Sequence, residues 1–187
     1  KLNQGELDVI INFLPFKSPN IEYKQLFTER LFLVASKDLL KKNLGDEADN
    51  VVEKFRMTND LSLFADLPFV LLREGEHIRD AIDREFSLHE MNPDIKIETS
   101  NTQTAIALAA EGMGITIVHE VFLSTNSVIG NLSSEARADK LVIIPLERAG
   151  HMDNIGIGYP RNSYIPRVAQ DFINLCCETF SNFTFTQ

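Results

Sequence analysis

Hydrophobic and polar positions along this chain change period several times, and each change marks out an element. From Asp94 to Phe122 the sequence reads DIKIETSNTQTAIALAAEGMGITIVHEVF. Ile95 and Ile97 alternate with polar residues, the pattern of a strand with one covered face. Six uncharged polar residues, Thr99 to Thr104, follow. The apolar run Ala105 to Ala110 then predicts a helix that stops at Gly112, and Gly114 opens a second strand over Ile115 to Val118. The whole reads as a βαβ unit. In open α/β sheets ligands gather beyond the carboxyl ends of strands, where helix N-termini direct N–H groups outward. The hydroxyls and amides of Thr99 to Thr104 fall at such a junction, which makes them half of a candidate small-ligand site. Ser, Thr and Asn are also the preferred helix N-caps, so capping alone is the alternative use of the same residues.

Upstream, Lys1 to Glu6 reads as the tail of a helix ending at Gly5, and Leu7 to Ile11 as a strand buried on both faces. After a loop from Asn12 to Asn20, Ile21 to Phe27 and Leu31 to Ser36 are two further strand candidates. Residues 37 to 66 are dominated by charge, with few large apolar residues. They predict a solvated loop carrying short helices near Asp49 to Met57 and Asp60 to Ala65. Phe69 to Leu72 is the next strand. His77 to His89 is an amphipathic helix that places Ile78, Ala81, Ile82 and Phe86 inward and Arg79, Asp83 and Arg84 outward. Ser124 to Lys140 is mostly loop, and Leu141 to Pro145 and Asn154 to Tyr159 are strands. A last helix starts at Pro166 and turns Ala169, Phe172, Ile173, Cys176 and Phe180 inward. This alternation predicts an α/β fold with largely parallel sheets.

A chain of 187 residues with 44% apolar content can bury a sizeable core. No apolar run approaches the roughly 18 residues that span a bilayer, and no secretion signal pattern opens the sequence, so a cytoplasmic protein without membrane contact is expected. The net charge of −9 argues against this chain holding nucleic acid by itself. Cys176 and Cys177 sit side by side on the last helix without histidine partners, and are expected to be reduced. Two glycosylation patterns, at Asn131 and Asn182, carry no meaning in a cytoplasmic chain.

Candidate chemistry is sparse. The four histidines are scattered and no CxxC or HExxH occurs, so no metal site and no cofactor are expected. There is no GxSxG elbow and no phosphate-binding loop, and Gly112-Met113-Gly114 follows a helix where a dinucleotide loop would precede one. His119-Glu120 beyond a strand end is an acid–base pair in principle, but such a pair more often lines a pocket or caps the next turn. Arg73 and Arg79 are candidates to clamp a carboxylate, with Arg73 pairing Glu74 or Glu76 on the surface as the alternative. Without a converging set, no catalytic residue is assigned and an enzyme is not expected.

The order GELDVII, LFLVAS, DLPFVLLREGEHIRDAIDREF and PDIKIETSNTQTAIALAAEGMGITIVHE resembles the effector-binding domain of LysR-type transcriptional regulators over nearly the whole chain. Its most specific parts are Gly5 to Asp8, the helix from Arg79 to Phe86, and Ala109 to His119, where His119 replaces the family's usual proline. The resemblance implies two Rossmann-like α/β subdomains, as in type 2 periplasmic binding proteins, joined by two crossover strands. Residues 1–30 with 150–187 would form subdomain I and residues 31–149 subdomain II. A small-molecule effector would lie in the cleft between them, facing Asn12 and Phe13 on one side and Thr99, Ser100, Asn101, Thr102, Gln103, His119 and Glu120 on the other. The family further implies a homodimer or homotetramer, with DNA bound only through an N-terminal helix-turn-helix that this chain lacks.

The first strand, helix and second strand of subdomain I also have no counterpart here, so the chain is expected to be a trimmed piece with an incomplete first subdomain. Residues 37 to 65 look longer than the family's usual connection. The functional expectation is a sensor of a small effector, with an organic acid favoured since neutral donors at a helix N-terminus suit an anion. Two other readings stay open: a solute-binding protein for transport, and a dimerisation module whose pocket is vestigial.

Overall fold

In a computed structural model of the chain, residues 1–123, 139–146 and 152–181 are described. Most of the predicted loop after Ser124, both glycosylation patterns and His151 lie outside them. Among the described residues there are seven strands: β1 (Ile10–Phe13), β2 (Ile21–Ser36), β3 (Pro68–Leu72), β4 (Asp94–Thr99), β5 (Thr116–His119), β6 (Leu141–Leu146) and β7 (Met152–Pro160). The α-helices that lie wholly within the described residues are α1 (Lys37–Leu44), α2 (Ala48–Thr58), α3 (His77–Leu88), α4 (Thr102–Ala110) and α5 (Arg167–Phe180). The chain divides into two units, Lys1–Glu29 with Met152–Gln187, and Arg30–His151.

The first unit is built on β1 and β7, antiparallel with Ile10 opposite Gly158 and Phe13 opposite Ile155. The early part of β2 runs beside β7. Leu26, Ile157, Ile173 and Cys176 form its core, and the rings of Phe27 and Phe180 stack with centroids 5.0 Å apart. Burial raises the Cys176 thiol pKa, with Cys177 beside it adding to the shift. Both cysteines are free. Two expectations are corrected here. The strand Leu7 to Ile11 starts later and is only partly covered, with Ile10 half-buried and Ile11 49% exposed, because among the described strands β1 lies at the edge of its sheet. Phe172 on α5 is 43% exposed rather than buried, since the covered stripe is the one through Ala169, Ile173 and Cys176.

The second unit is organised by the late part of β2. Leu31 to Val34 pair antiparallel with His119 to Thr116 of β5 on one side and with Leu146 to Ile143 of β6 on the other. β3 lies against β5 through Val70 N–H donating to Ile115 O at 2.8 Å and Ile115 N–H donating to Pro68 O at 2.8 Å, and pairs parallel with β4 beyond it. The sheet is therefore mixed. The expectation of largely parallel pairing fails because β2 runs against both of its neighbours in this unit. The two strand candidates on either side of Thr28 are also one continuous strand, since nothing between them breaks an extended backbone.

Side-chain alternation along β2 splits the core into two layers. Leu31, Leu33 and Ala35 face a large layer with Phe69, Val70, Ile117, Ile144 and helices α1 to α3. Val34 faces the opposite layer, with Ile106 and Ala109 of α4 and Val118 of β5. The charged stretch 37–66 is not a solvated loop. Ser36 Oγ accepts the Leu39 N–H at 3.1 Å and starts α1, with Asp38 in the first turn and Lys41 and Lys42 in the last, each suited to the helix dipole. Leu40, Phe55, Leu61 and Phe64 then enter the large layer almost fully buried. Each such side chain contributes about 1.5–3 kcal/mol. A few well-spaced apolar residues among many charges were enough to make this segment part of the core.

α3 holds another correction. Arg79 faces inward, with its side chain 5% exposed. Its guanidinium donates to Asp83 Oδ1 at 2.8 Å, to Leu72 O at 2.9 Å and to Glu98 Oε1, and so ties α3 to the ends of β3 and β4. Burial works to lower its pKa, but the hydrogen bonds and charges of Glu98 and Asp83 outweigh that and raise it. The cation is inside because its partners are. At the other end of α3, His89 faces Asp60 through Nδ1 at 3.2 Å and Glu85 through Nε2 at 3.8 Å. Its two nitrogens address separate carboxylates, so they do not converge on one point.

Two substitutions test this arrangement. A Cβ at Gly114 would lie 2.9 Å from Pro68 O and 3.0 Å from Phe69 C, both backbone atoms that hold β3 to β5. Gly114→Ala should cost about 1–3 kcal/mol, read as a lowered urea midpoint with an unchanged slope. Arg79→Met should cost about 1–3 kcal/mol, because it strips Leu72 O of a donor and leaves Asp83 and Glu98 without their cation, both of them partly exposed. An urea midpoint equal to that of the unsubstituted chain would show that the Arg79 network contributes nothing net.

Candidate functional site

β4 and β5 flank β3 and run parallel to it, so their carboxyl ends emerge on the same side of the second unit's sheet. The chain leaves β4 at Thr99 and turns through Ser100 and Asn101 into α4. Thr99 Oγ1 accepts the Asn101 N–H at 3.1 Å, and Asn101 Oδ1 accepts the Thr104 N–H at 2.9 Å. Asn101 is therefore the N-cap of α4, with its backbone extended at φ −122°. The capping use of this stretch is satisfied mainly by Asn101 and Thr99. Ser100 and Asn101 are exposed, and Thr99, Thr102 and Gln103 are half-buried. Arg73 N–H donates to Thr99 O at 3.1 Å, which fixes the start of the turn to the end of β3. Arg73 itself is exposed, and Arg79 is committed inside the fold.

β5 ends at His119, and Glu120 begins a single 3-10 turn, Glu120–Leu123. Both residues are buried, His119 at 6% and Glu120 at 8%. The strand register explains the partner of Glu120. Leu31 lies opposite His119, so one step outward on each strand sets Arg30 opposite Glu120. Arg30 Nε donates to Glu120 Oε2 at 2.9 Å and Nη2 donates to Oε1 at 2.6 Å. This is a bidentate, charge-assisted pair. The Arg30 guanidinium also lies 5.3 Å from the centroid of the Phe32 ring. Gln103 Nε2 donates to Phe122 O at 3.4 Å, which brings the first turn of α4 to the turn that follows β5.

Of the residues picked out from the sequence, Thr99, Ser100, Asn101, Thr102, Gln103, His119 and Glu120 thus belong to the second unit. Gln103 links the two strand-end turns that hold them. Asn12 and Phe13 belong to the first unit, on β1, where Asn12 Oδ1 accepts the Phe13 N–H at 2.8 Å. Near them lies a polar cluster that the sequence pattern did not single out. Gln25 Nε2 donates to Thr28 Oγ1 and to Asn154 Oδ1 at 3.0 and 2.9 Å, and Thr28 Oγ1 donates to Asn154 Oδ1 at 2.8 Å. Arg30 was missed as well, because its place opposite Glu120 follows from antiparallel pairing between strands far apart in sequence. Among the described residues no group of three or more His, Cys, Asp or Glu could hold a metal ion. No helix among them is long and apolar enough to cross a membrane.

Comparison with known proteins gives this geometry a family. Residues 1–181 match the family model described as the LysR substrate binding domain. Over 183 residues the chain is 21% identical to the uncharacterized HTH-type transcriptional regulator YcgK of Bacillus subtilis (strain 168), covering 94% of this chain and 52% of that one. Over 149 residues it is 24% identical to the HTH-type transcriptional regulator EstR of Acinetobacter baylyi, covering 80% and 43%. The chain thus spans about half the length of the curated relatives it matches. By their names both relatives are transcriptional regulators. Among solved structures, the CcmR regulatory domain of Synechocystis PCC6803 in complex with 2-PG superposes with a TM-score of 0.71 at 15% identity, covering 97% of this chain and 77% of that one. The effector binding domain of QuiR in complex with shikimate gives a TM-score of 0.66 at 16% identity, covering 98% and 77%. At such identities the likeness speaks for the fold alone. With its family model matched over nearly the full length and its mixed α/β architecture shared with these domains, the chain belongs to the LysR substrate binding domain family and has its type 2 periplasmic-binding-protein-like fold.

Proposed function

We propose that this chain is the effector-sensing part of a LysR-type transcriptional regulator, and that its effector is a small organic acid. The observation that carries the reading is the pair of linked strand-end turns, Thr99 to Gln103 and His119 to Phe122, where neutral donors open helix α4 and a part-buried ion pair holds the start of the turn after β5. A helix N-terminus with hydroxyls and amides favours negative charge. The names of two fold neighbours, one solved with 2-PG and one with shikimate, support a small polar ligand. DNA contacts would belong to a helix-turn-helix of a longer protein, working in the cytoplasm. Assembly as a homodimer or homotetramer is supported by the exposed apolar residues Val168, Phe172 and Leu175 on α5. An effector can act only through a difference in affinity between two arrangements of the protein, about 5.5 kcal/mol for a swing from 1:99 to 99:1.

A thermal-shift screen against organic acids, amino acids and aromatic carboxylates tests this directly. A ligand at about 100 times its dissociation constant adds roughly 2.7 kcal/mol, and should raise the midpoint by on the order of 5–10 °C. No saturable shift with any compound would count against a working sensor. Once a ligand is in hand, Thr99→Val with Thr102→Val should abolish its shift while lowering the ligand-free midpoint only slightly. The N-cap Asn101 remains, and only the Thr99 hydroxyl's bond to the Asn101 N–H is lost, about 0.5–1.5 kcal/mol. A full response from the double variant would remove these hydroxyls from the site.

A further inference from the structure

We infer that Arg30 reads the acidic group of the effector, and that Glu120 occupies its guanidinium as a built-in competitor when no effector is bound. This rests on the sensing function proposed above and names the group that sets its charge preference. Three observations lead to it. First, the pair belongs to one of the two linked turns, since Glu120 starts the turn whose Phe122 carbonyl receives the Gln103 side chain. Second, its geometry is the fork that a ligand carboxylate would offer. Nε and Nη2 of Arg30 hold the two oxygens of Glu120 at 2.9 and 2.6 Å, and any planar carboxylate can take the same two bonds. Third, the two partners are unequally covered. The Arg30 side chain is 31% exposed and that of Glu120 only 10%, so the cation is the member that solvent, and hence a solute, can reach.

The packing keeps that fork presented. Phe32 lies under the guanidinium, and the backbone of Arg30 is fixed by the doubly paired strand that begins at Leu31. An arriving carboxylate would exchange one bidentate pair for another and leave Glu120 to turn away, so the net charge at Arg30 stays balanced before and after binding. Uncharged ligands cannot make this exchange. Discrimination against them then comes from Glu120, which they would have to leave in place. A pair kept only for stability would show no preference between an acid and its ester, since neither would exchange with it.

The test compares the unsubstituted chain with Arg30→Gln, Arg30→Lys and Glu120→Gln. Each is titrated with shikimate, with every acid that shifts the midpoint in the screen, and with the methyl ester of each, by calorimetry and thermal shift. Circular dichroism controls for folding. Glu120→Gln should bind the acid about ten- to a hundredfold tighter and leave ester binding unchanged. Arg30→Gln should lose affinity for the acid by a similar factor, again with the ester unchanged, and Arg30→Lys should recover only part of it, because an ammonium does not reproduce the fork. The ratio of acid to ester affinity is the readout that a purely structural role would not move. The same ratio in all four proteins would overturn the assignment while leaving the sensing function in place, and so would a response confined to uncharged ligands. Silence of both the unsubstituted chain and Glu120→Gln toward every acid and ester would overturn both.

Discussion

Everything in the second unit depends on one segment of backbone that is hydrogen-bonded along both edges. Leu31 to Val34 sit between β5 and β6, with their side chains directed alternately into the two layers of core. A strand in that position has no freedom of register, because a slip of one residue would exchange the contents of the two layers. The fixed register is what sets His119 opposite Leu31 and carries Arg30 to Glu120. It also anchors β5, whose first contacts hold β3 and, beyond it, β4. The turns of the candidate site are the ends of strands whose order this segment determines.

Much of this fold could be read from the sequence where the signal was local. β3, α3, β4, α4 and β5 follow from period, caps and glycine stops, and the run Thr99 to Thr104 marked its own turn. What could not be read depended on distant partners. α1 was hidden because Leu39 and Leu40 are its only buried residues, and a short helix with lysines and an aspartate reads as a solvated loop until Ser36 is seen to cap it. Arg79 was assigned outward because a cation at a polar position normally is. It turns inward to reach Leu72 O and Glu98, residues seven and nineteen positions away. The continuity of β2 was obscured by Thr28, Glu29 and Arg30, whose polarity says nothing about their backbone.

The same division applies to the candidate site. Hydroxyl and amide residues at a strand-to-helix turn, here Thr99 to Thr104, announce themselves in a sequence. Arg30 does not, since only antiparallel pairing between β2 and β5 gives it a carboxylate partner ninety residues away. Gln25, Thr28 and Asn154 likewise become a cluster only when β7 returns beside β2. Charge and hydrogen-bonding capacity are local properties of a chain, whereas complementarity belongs to the sheet.

Within its sixteen residues β2 passes from a surface position to the centre of a core, its burial rising from mostly exposed before Leu26 to almost complete by Ala35. One uninterrupted element therefore contains amides of very different protection. Those near Ile21 to Gln25 can exchange with deuterium through small local openings, while those from Leu31 to Val34 are released only when β5 or β6 separates from the strand. Isotope uptake along this single strand would work as a graduated scale. It would separate loosening of the first unit from unfolding of the second without any label or probe being introduced.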